Sequence, residues 1–286
     1  MRMVILGGTG LVGSHLKPFL EQQGHEVKAF GQSAFEPEFD LAAELNGLDV
    51  LIQLSGTNIG QRWTQTHQQR IWDSRVDLNQ RLATLLASLP EPPKRVIAAS
   101  AIGFYPESDC EHPLDESHSK AGENTFGDLV QAWEKALASL APPERLLTFR
   151  FGVVLASNGG ALGKMLPAFK LGLGGPIAGG HQCFSWVHID DLLHAFSWAL
   201  QHPERHGTFN LTAPQPVSQA EFGRQLAHQL HRPFWLPVFR WQLTLLLGDG
   251  AQVLTVSQAV IPTKLTEAGF RFQYPTLKAA LAHLFP

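Results

Sequence analysis

Met3-Val4-Ile5-Leu6 runs directly into Gly7-Gly8-Thr9-Gly10-Leu11-Val12-Gly13, and this junction narrows what the chain can become. Four apolar residues suit a short buried strand, and Ser14-His15-Leu16-Lys17-Pro18-Phe19-Leu20 starts a helix. A turn this tight needs glycine conformations. A side chain at Gly10 would hold a pyrophosphate away from the backbone, and one at Gly13 would push the helix off the sheet. Free N–H groups and the positive dipole end at the helix start then suit phosphates. The first glycine gap is one residue longer than in the usual Rossmann pattern. Its placement after a strand and before a helix still points to a dinucleotide.

Strands continue to alternate with helical stretches up to about residue 155. Gly24–Phe30 and Leu48–Leu54 read as strands, residues 64–89 as one helical segment, Lys94–Ser100 as a strand and Phe126–Leu140 as a helix. Leu146–Phe151 starts a further strand that continues to Leu155. This order predicts an α/β, doubly wound parallel sheet of Rossmann type, with ligand at the carboxyl ends of the strands. Residues 1–155 are expected to form the nucleotide-binding domain, with later returns to its sheet, and 156–286 a smaller C-terminal substrate region.

The strand ends supply the candidate cofactor contacts. They are Gly7, Thr9, Gly10, Leu11, Val12 and Gly13 in the first turn, Gln32 after the second strand, and Leu54, Ser55, Gly56 and Asn58 after the third. Arg75 could reach a phosphate, although a solvated helix charge is an equal reading of it. The second strand ends in Gly31-Gln32-Ser33, with no acid to bind a ribose 2′-hydroxyl and no arginine to attract a 2′-phosphate. That pattern favours NADP over NAD modestly.

A net charge of −3 gives no reason to expect nucleic acid, and no apolar run is long enough to cross a membrane, so the expected partner is a small-molecule substrate, with neither nucleic acid nor a membrane. A homodimer is left open. The N-terminus is a working strand rather than a targeting peptide. Cys110 and Cys183 are too few for a disulfide framework or a zinc site and are read as reduced thiols, with cytoplasmic residence as the default. The histidines show no close pair with ligand spacing, so no metal is expected. His188 is expected to hydrogen-bond within the fold.

Gly7-Gly8-Thr9-Gly10-x-x-Gly13, Leu54-Ser55-Gly56, the strand ending at Ser100, and Val187-His188-Ile189-Asp190-Asp191 together resemble the extended short-chain dehydrogenases/reductases. Arg62-Trp63-Thr64, Asp73-Ser74-Arg75, Gly160–Met165, Leu171–Pro176 and Phe184–His188 narrow the resemblance to the atypical epimerase family proteins, over essentially the whole chain. The resemblance implies a Rossmann-type fold binding NADP(H) and an oxidoreductase or epimerase-like reaction on a small carbonyl or hydroxyl substrate.

The chain departs from the family pattern at the reaction centre. If Glu134 is the family's glutamate, the Tyr-x-x-x-Lys pair of extended reductases falls on Phe126 and Val130, which carry neither hydroxyl nor ammonium. Ser100, as a carbonyl-binding group, and Tyr105, as a replacement acid, become the candidate catalytic residues. The arginine that holds a sugar-nucleotide diphosphate is also missing from Gln182–Trp186. A smaller, flatter substrate in an aromatic pocket of Trp63, Tyr105 and Trp186 is expected instead. The missing pair also supports an alternative, a non-catalytic NADP(H)-binding or redox-sensing protein, although a Gly-rich, aromatic mouth is more than a sensor needs.

Overall fold

Alternation of short apolar runs with amphipathic ones builds a sheet covered on both faces. A computed structural model describes residues 1–286. The first half comprises β1 (Arg2–Leu6), α1 (Leu11–Gln22), β2 (Glu26–Phe30), α2 (Leu41–Leu45), β3 (Val50–Gln53), α3 (Gln65–Asp73), α4 (Asp77–Ser88), β4 (Arg95–Ala101), α5 (Thr125–Leu137) and β5 (Leu146–Phe151). Then follow β6 (Val153–Leu155), α6 (Gly160–Lys170), β7 (Cys183–Phe184), β8 (Trp186–His188), α7 (Ile189–Gln201), β9 (Gly207–Leu211), β10 (Val217–Ser218) and α8 (Gln219–Gln229). The chain ends in α9 (Arg240–Leu247), α10 (Gln252–Thr255), α11 (Thr263–Glu267) and α12 (Leu277–Leu284).

Six strands pair in the order β2-β1-β3-β4-β5-β9, all parallel. Successive strand residues face opposite sides. Met3 and Ile5 of β1 pack with Leu16 and Leu20 of α1 and with Leu192, Phe196 and Ala199 of α7. Val4 and Leu6 pack on the other face with Leu82 and Leu86 of α4 and with Val130, Trp133 and Leu137 of α5. Burial on both faces explains why these strands read as continuous apolar runs. The order reverses between β1 and β3, so the crevice for a ligand opens at Gly7 and Leu54. The sixth strand, β9, returns from well beyond residue 155.

A third apolar cluster joins Leu162 and Leu166 of α6, Trp186 of β8, Phe222 and Leu226 of α8, and Leu277 and Leu281 of α12. It forms a core of its own, separate from the two clusters that pack on the main sheet. No helix is long and apolar enough to cross a membrane.

Three expectations change here. The strand expected to run from Leu146 to Leu155 is split at Gly152, with β5 in the main sheet and β6 paired with β8 instead. The helical segment at 64–89 breaks between α3 and α4, where the Ser74 hydroxyl donates to Ile71 O and accepts from Thr57 N at 2.9 Å. That hydroxyl ties the break to the loop after β3 and sets Arg75 over Gly56. Cys110 and Cys183 are not reduced thiols but a disulfide, with Cα atoms 5.4 Å apart and 73 residues between them in sequence. The loop after β4 folds back against β7, a juxtaposition invisible to sequence spacing. Closing a loop of this size removes about 4 kcal/mol of unfolded-state entropy. The bond also removes the reduced-thiol premise behind cytoplasmic residence.

Candidate functional site

The turn after β1 is built as its glycines require. Gly7 sits at φ +86°, and a Cβ there would lie 2.7 Å from Leu54 C and 2.8 Å from Ser55 N, so the ends of β1 and β3 meet backbone to backbone. A Cβ at Gly13 would come within 2.6 Å of both Gly7 O and Gly8 Cα. At Gly10 it would meet only Gly7 O, at 3.3 Å, and otherwise face open space. Gly10 is the N-cap of α1, with no side-chain cap and no acid in the first turn, so the first N–H groups, those of Leu11, Val12 and Gly13, look into that space. Thr9 packs under Gly31, one residue before Gln32, which begins a short 3₁₀ turn.

Across the crevice the Ser55 hydroxyl is buried and has no hydrogen-bond partner, a costly state unless a ligand completes it. Gly56 lies beneath the Arg75 guanidinium; a Cβ there would sit 3.1 Å from Nη2. Arg75 stacks 5.1 Å above the Trp133 ring and bonds only Ile71 O and the Ser74 hydroxyl, with no carboxylate beside it. Burial pushes its pKa down to about 10. Asn58 accepts from Gly60 N, and Lys164 of α6 reaches over to Gly60 O at 2.6 Å. An uncapped helix start, an orphaned hydroxyl and an uncompensated cation are the donor set a dinucleotide pyrophosphate would use. Beyond the end of β2, Ala34, Phe35, Phe39, Leu78 and Leu82 line an apolar groove of about 320 Å³ with Arg81 in its wall.

At the end of β4 the expectations divide. Phe126 and Val130 lie beside Gly103, in the turn after β4, and Val130 is buried in the core under that turn. Trp63 meets the Phe126 ring at 5.1 Å. Ser100 is buried, and its hydroxyl donates to Glu134 Oε1 at 2.7 Å. Tyr105 is 0% exposed and its hydroxyl donates to Asn210 Oδ1 at 2.9 Å. Burial pushes the phenol pKa up, with Arg150 and Asn210 acting against that shift. Tyr105, expected as the replacement acid, does not present its hydroxyl to the ligand crevice. Packing under Phe104 and against Asn210 holds it inside. Trp186 is likewise fully buried, in the third cluster, so Trp63, Tyr105 and Trp186 do not share a pocket.

His188 caps α7: its Nδ1 accepts from Asp190 N at 3.0 Å, as the expectation of an internal hydrogen bond requires. Folding also brings Asp190 and His283 beside it, with the three potential ligand atoms within 4.8 Å of one another. The sequence shows no such grouping, because His283 comes from the far end of the chain. An Nδ1 that accepts a hydrogen bond leaves the ring hydrogen on Nε2, which points at His283 Nδ1, 3.3 Å away. That tautomer offers a cation no lone pair.

A model of the NAD dependent epimerase/dehydratase family matches residues 3–212. The chain belongs to that family. A domain of unknown function, DUF1731, matches residues 238–284. The epimerase family protein YfhF of Bacillus subtilis is 35% identical, over 99% of this chain and 98% of its own length. The crystal structure of the human epimerase family protein SDR39U1 with NADPH superposes with a TM-score of 0.89 at 35% identity, over 99% of both chains. A nucleoside-diphosphate sugar epimerase from Corynebacterium glutamicum gives a TM-score of 0.79 at 28% identity and is covered over 58% of its length.

In this epimerase/dehydratase family member, sequence reasoning missed the partners that occupy Ser100 and Tyr105. Asn210 gave no signal, since its strand is distant in sequence. Glu134 did give one: an acid on the inward face of an apolar helix needs a buried partner. Arg81 of α4, not singled out by the sequence, lines the groove beside β2.

Proposed function

We propose that the chain is an NADP(H)-dependent oxidoreductase or epimerase-like enzyme acting on a small carbonyl or hydroxyl compound, without a Tyr-x-x-x-Lys pair. The carrying observation is the cradle of uncapped α1 N–H groups, the orphaned Ser55 hydroxyl and the acid-free Arg75 guanidinium around one crevice. The Gly10–Gly13 backbone and Ser55 bind the pyrophosphate, and Arg75 supplies its counter-charge. Gln32 meets the adenosine ribose, and Arg81 is the cation on that side, in a groove whose wall also holds Glu36 and Asp40. The bound nicotinamide supplies hydride chemistry, and the protein supplies orientation and a dry wall at Trp63 and Phe126. The NADPH found with the human relative supports the same cofactor here. Residues 1–155 with β9 carry the cofactor, and the rest closes the substrate side.

Ser100 and Tyr105 act as positioning residues in this reading, since both hydroxyls are spent on buried partners. The second reading, NADP(H) binding without catalysis, is favoured by that same engagement and by Phe126. Fluorescence titration tests the cofactor: NADPH should bind more tightly than NADH, and equal affinities would remove the assignment. A broad carbonyl screen for NADPH oxidation separates the two readings, because turnover of any compound excludes the non-catalytic one.

A further inference from the structure

Eight of the ten large apolar side chains that stand exposed lie within residues 171–173 and 235–246. Leu171, Trp235, Trp241, Leu245 and Leu246 are each between 63 and 75% exposed. Although far apart in sequence, the two stretches form one surface. Trp235 N and Leu236 N both donate to Gly174 O, Val238 N donates to Pro176 O, and the Trp235 indole donates to Gly172 O at 3.1 Å. α9 follows at once, with Trp241 and Leu245 one turn apart on the same face. An apolar patch of this kind on a water-soluble surface marks an interaction site.

Charge identifies the occupant. The chain carries 25 acids against 22 Lys and Arg, yet residues 145–189 and 222–248 contain no Asp or Glu at all. Lys170, Arg232 and Arg240 lie within the patch, and Arg232 Nε donates to Lys170 O at 2.7 Å, so its guanidinium is held at the seam. None of the three makes an ion pair. A second copy of the chain would set these cations against themselves across a two-fold axis, with no acid from either stretch to relieve them. An anionic lipid surface meets every feature at once. Tryptophans sit at headgroup depth, leucines enter the acyl boundary, and cations face phosphates. We propose that the face made by residues 170–178 and 232–247 docks on an anionic bilayer surface. Such docking is peripheral and agrees with the absence of a spanning helix.

The test is co-sedimentation of the full chain with vesicles of phosphatidylglycerol and phosphatidylcholine, and with pure phosphatidylcholine. Partition into the anionic vesicles should exceed that into neutral ones by about 10²-fold, the contribution of three cations near the surface. It should fall with added salt. The double substitution Trp241→Ser/Leu245→Ser should abolish partition while leaving NADPH affinity and the melting temperature unchanged. A second variant, Arg232→Gln/Arg240→Gln, should erase the preference for anionic lipid. Equal partition into both vesicles, or undiminished partition of the Trp241/Leu245 variant, overturns the proposal. Absence of vesicle binding together with a dimer that the same double substitution dissociates overturns it too, and assigns the face to a second copy.

Discussion

Arg150 grips Glu134 with two parallel hydrogen bonds, Nε to Oε1 and Nη2 to Oε2, each 2.7 Å long, beneath the end of β4. Ser100 donates to the same Oε1, and the guanidinium stacks 3.5 Å over Phe104 and 4.9 Å over Tyr105. Burial opposes the Arg150 charge, and the Glu134 carboxylate more than offsets it, so the Arg150 pKa rises. The pair pins α5 to β4 and β5 beneath the carboxyl end of the sheet.

Removing one partner leaves the other buried and alone. Glu134→Ala should lower the unfolding free energy by about 3–5 kcal/mol, the usual cost of breaking a buried ion pair from one side. Urea melts monitored by far-UV circular dichroism would measure it. A loss below about 1 kcal/mol would mean that water takes over the Arg150 charge.

Tyr105→Phe separates a structural hydroxyl from a catalytic one. Loss of the bond to Asn210 should cost about 1–2 kcal/mol of stability, with part of the cost coming from the amide left unpaired. For any carbonyl substrate found by screening, single-turnover NADPH oxidation should change little. A drop of about 10²–10⁴-fold would instead make Tyr105 the acid.

Gly10→Val places its side chain in the space faced by the α1 N–H groups, with its Cβ meeting only Gly7 O. The variant should fold with a wild-type melting temperature and lose NADPH affinity by at least about tenfold. Gly13→Ala should instead lose stability, because its Cβ has backbone on two sides. Normal NADPH binding by a folded Gly10→Val protein would move the cofactor elsewhere.

His188 gives the fold a pH dependence of known sign. Burial lowers its pKa from 6.5 to about 4, with Asp190 opposing and His283 reinforcing the shift. The unfolded chain therefore takes up this proton near pH 6.5, and the folded chain only near pH 4. Stability is unaffected above pH 6.5 and falls as pH drops through that window, by up to about 3 kcal/mol. His188→Asn keeps a capping side chain without a titrating ring. It should flatten the loss measured by chemical denaturation from pH 7 to pH 4, and an unchanged slope would assign the dependence to other groups.

The stretch from Met3 to Gly13, the alternation that follows it and the acid-free end of β2 determined the sheet, its ligand edge and the cofactor class. Those properties depend on residues that are neighbours in the chain, where periodicity and backbone freedom act directly. The break at Ser74 lay just beyond that reach, because it is fixed by a hydrogen bond to Thr57 from another loop. Only the tertiary structure decided which hydroxyls are free. Tyr105 meets Asn210 across 105 residues, Ser100 meets Glu134 across 34, and Cys110 meets Cys183 across 73. The same holds for His188 and His283, and for the apolar face shared by residues 171–173 and 235–246. Whether a polar group is a reagent or a buried tie depends on partners supplied by loop closure, and loop closure leaves no local pattern to read.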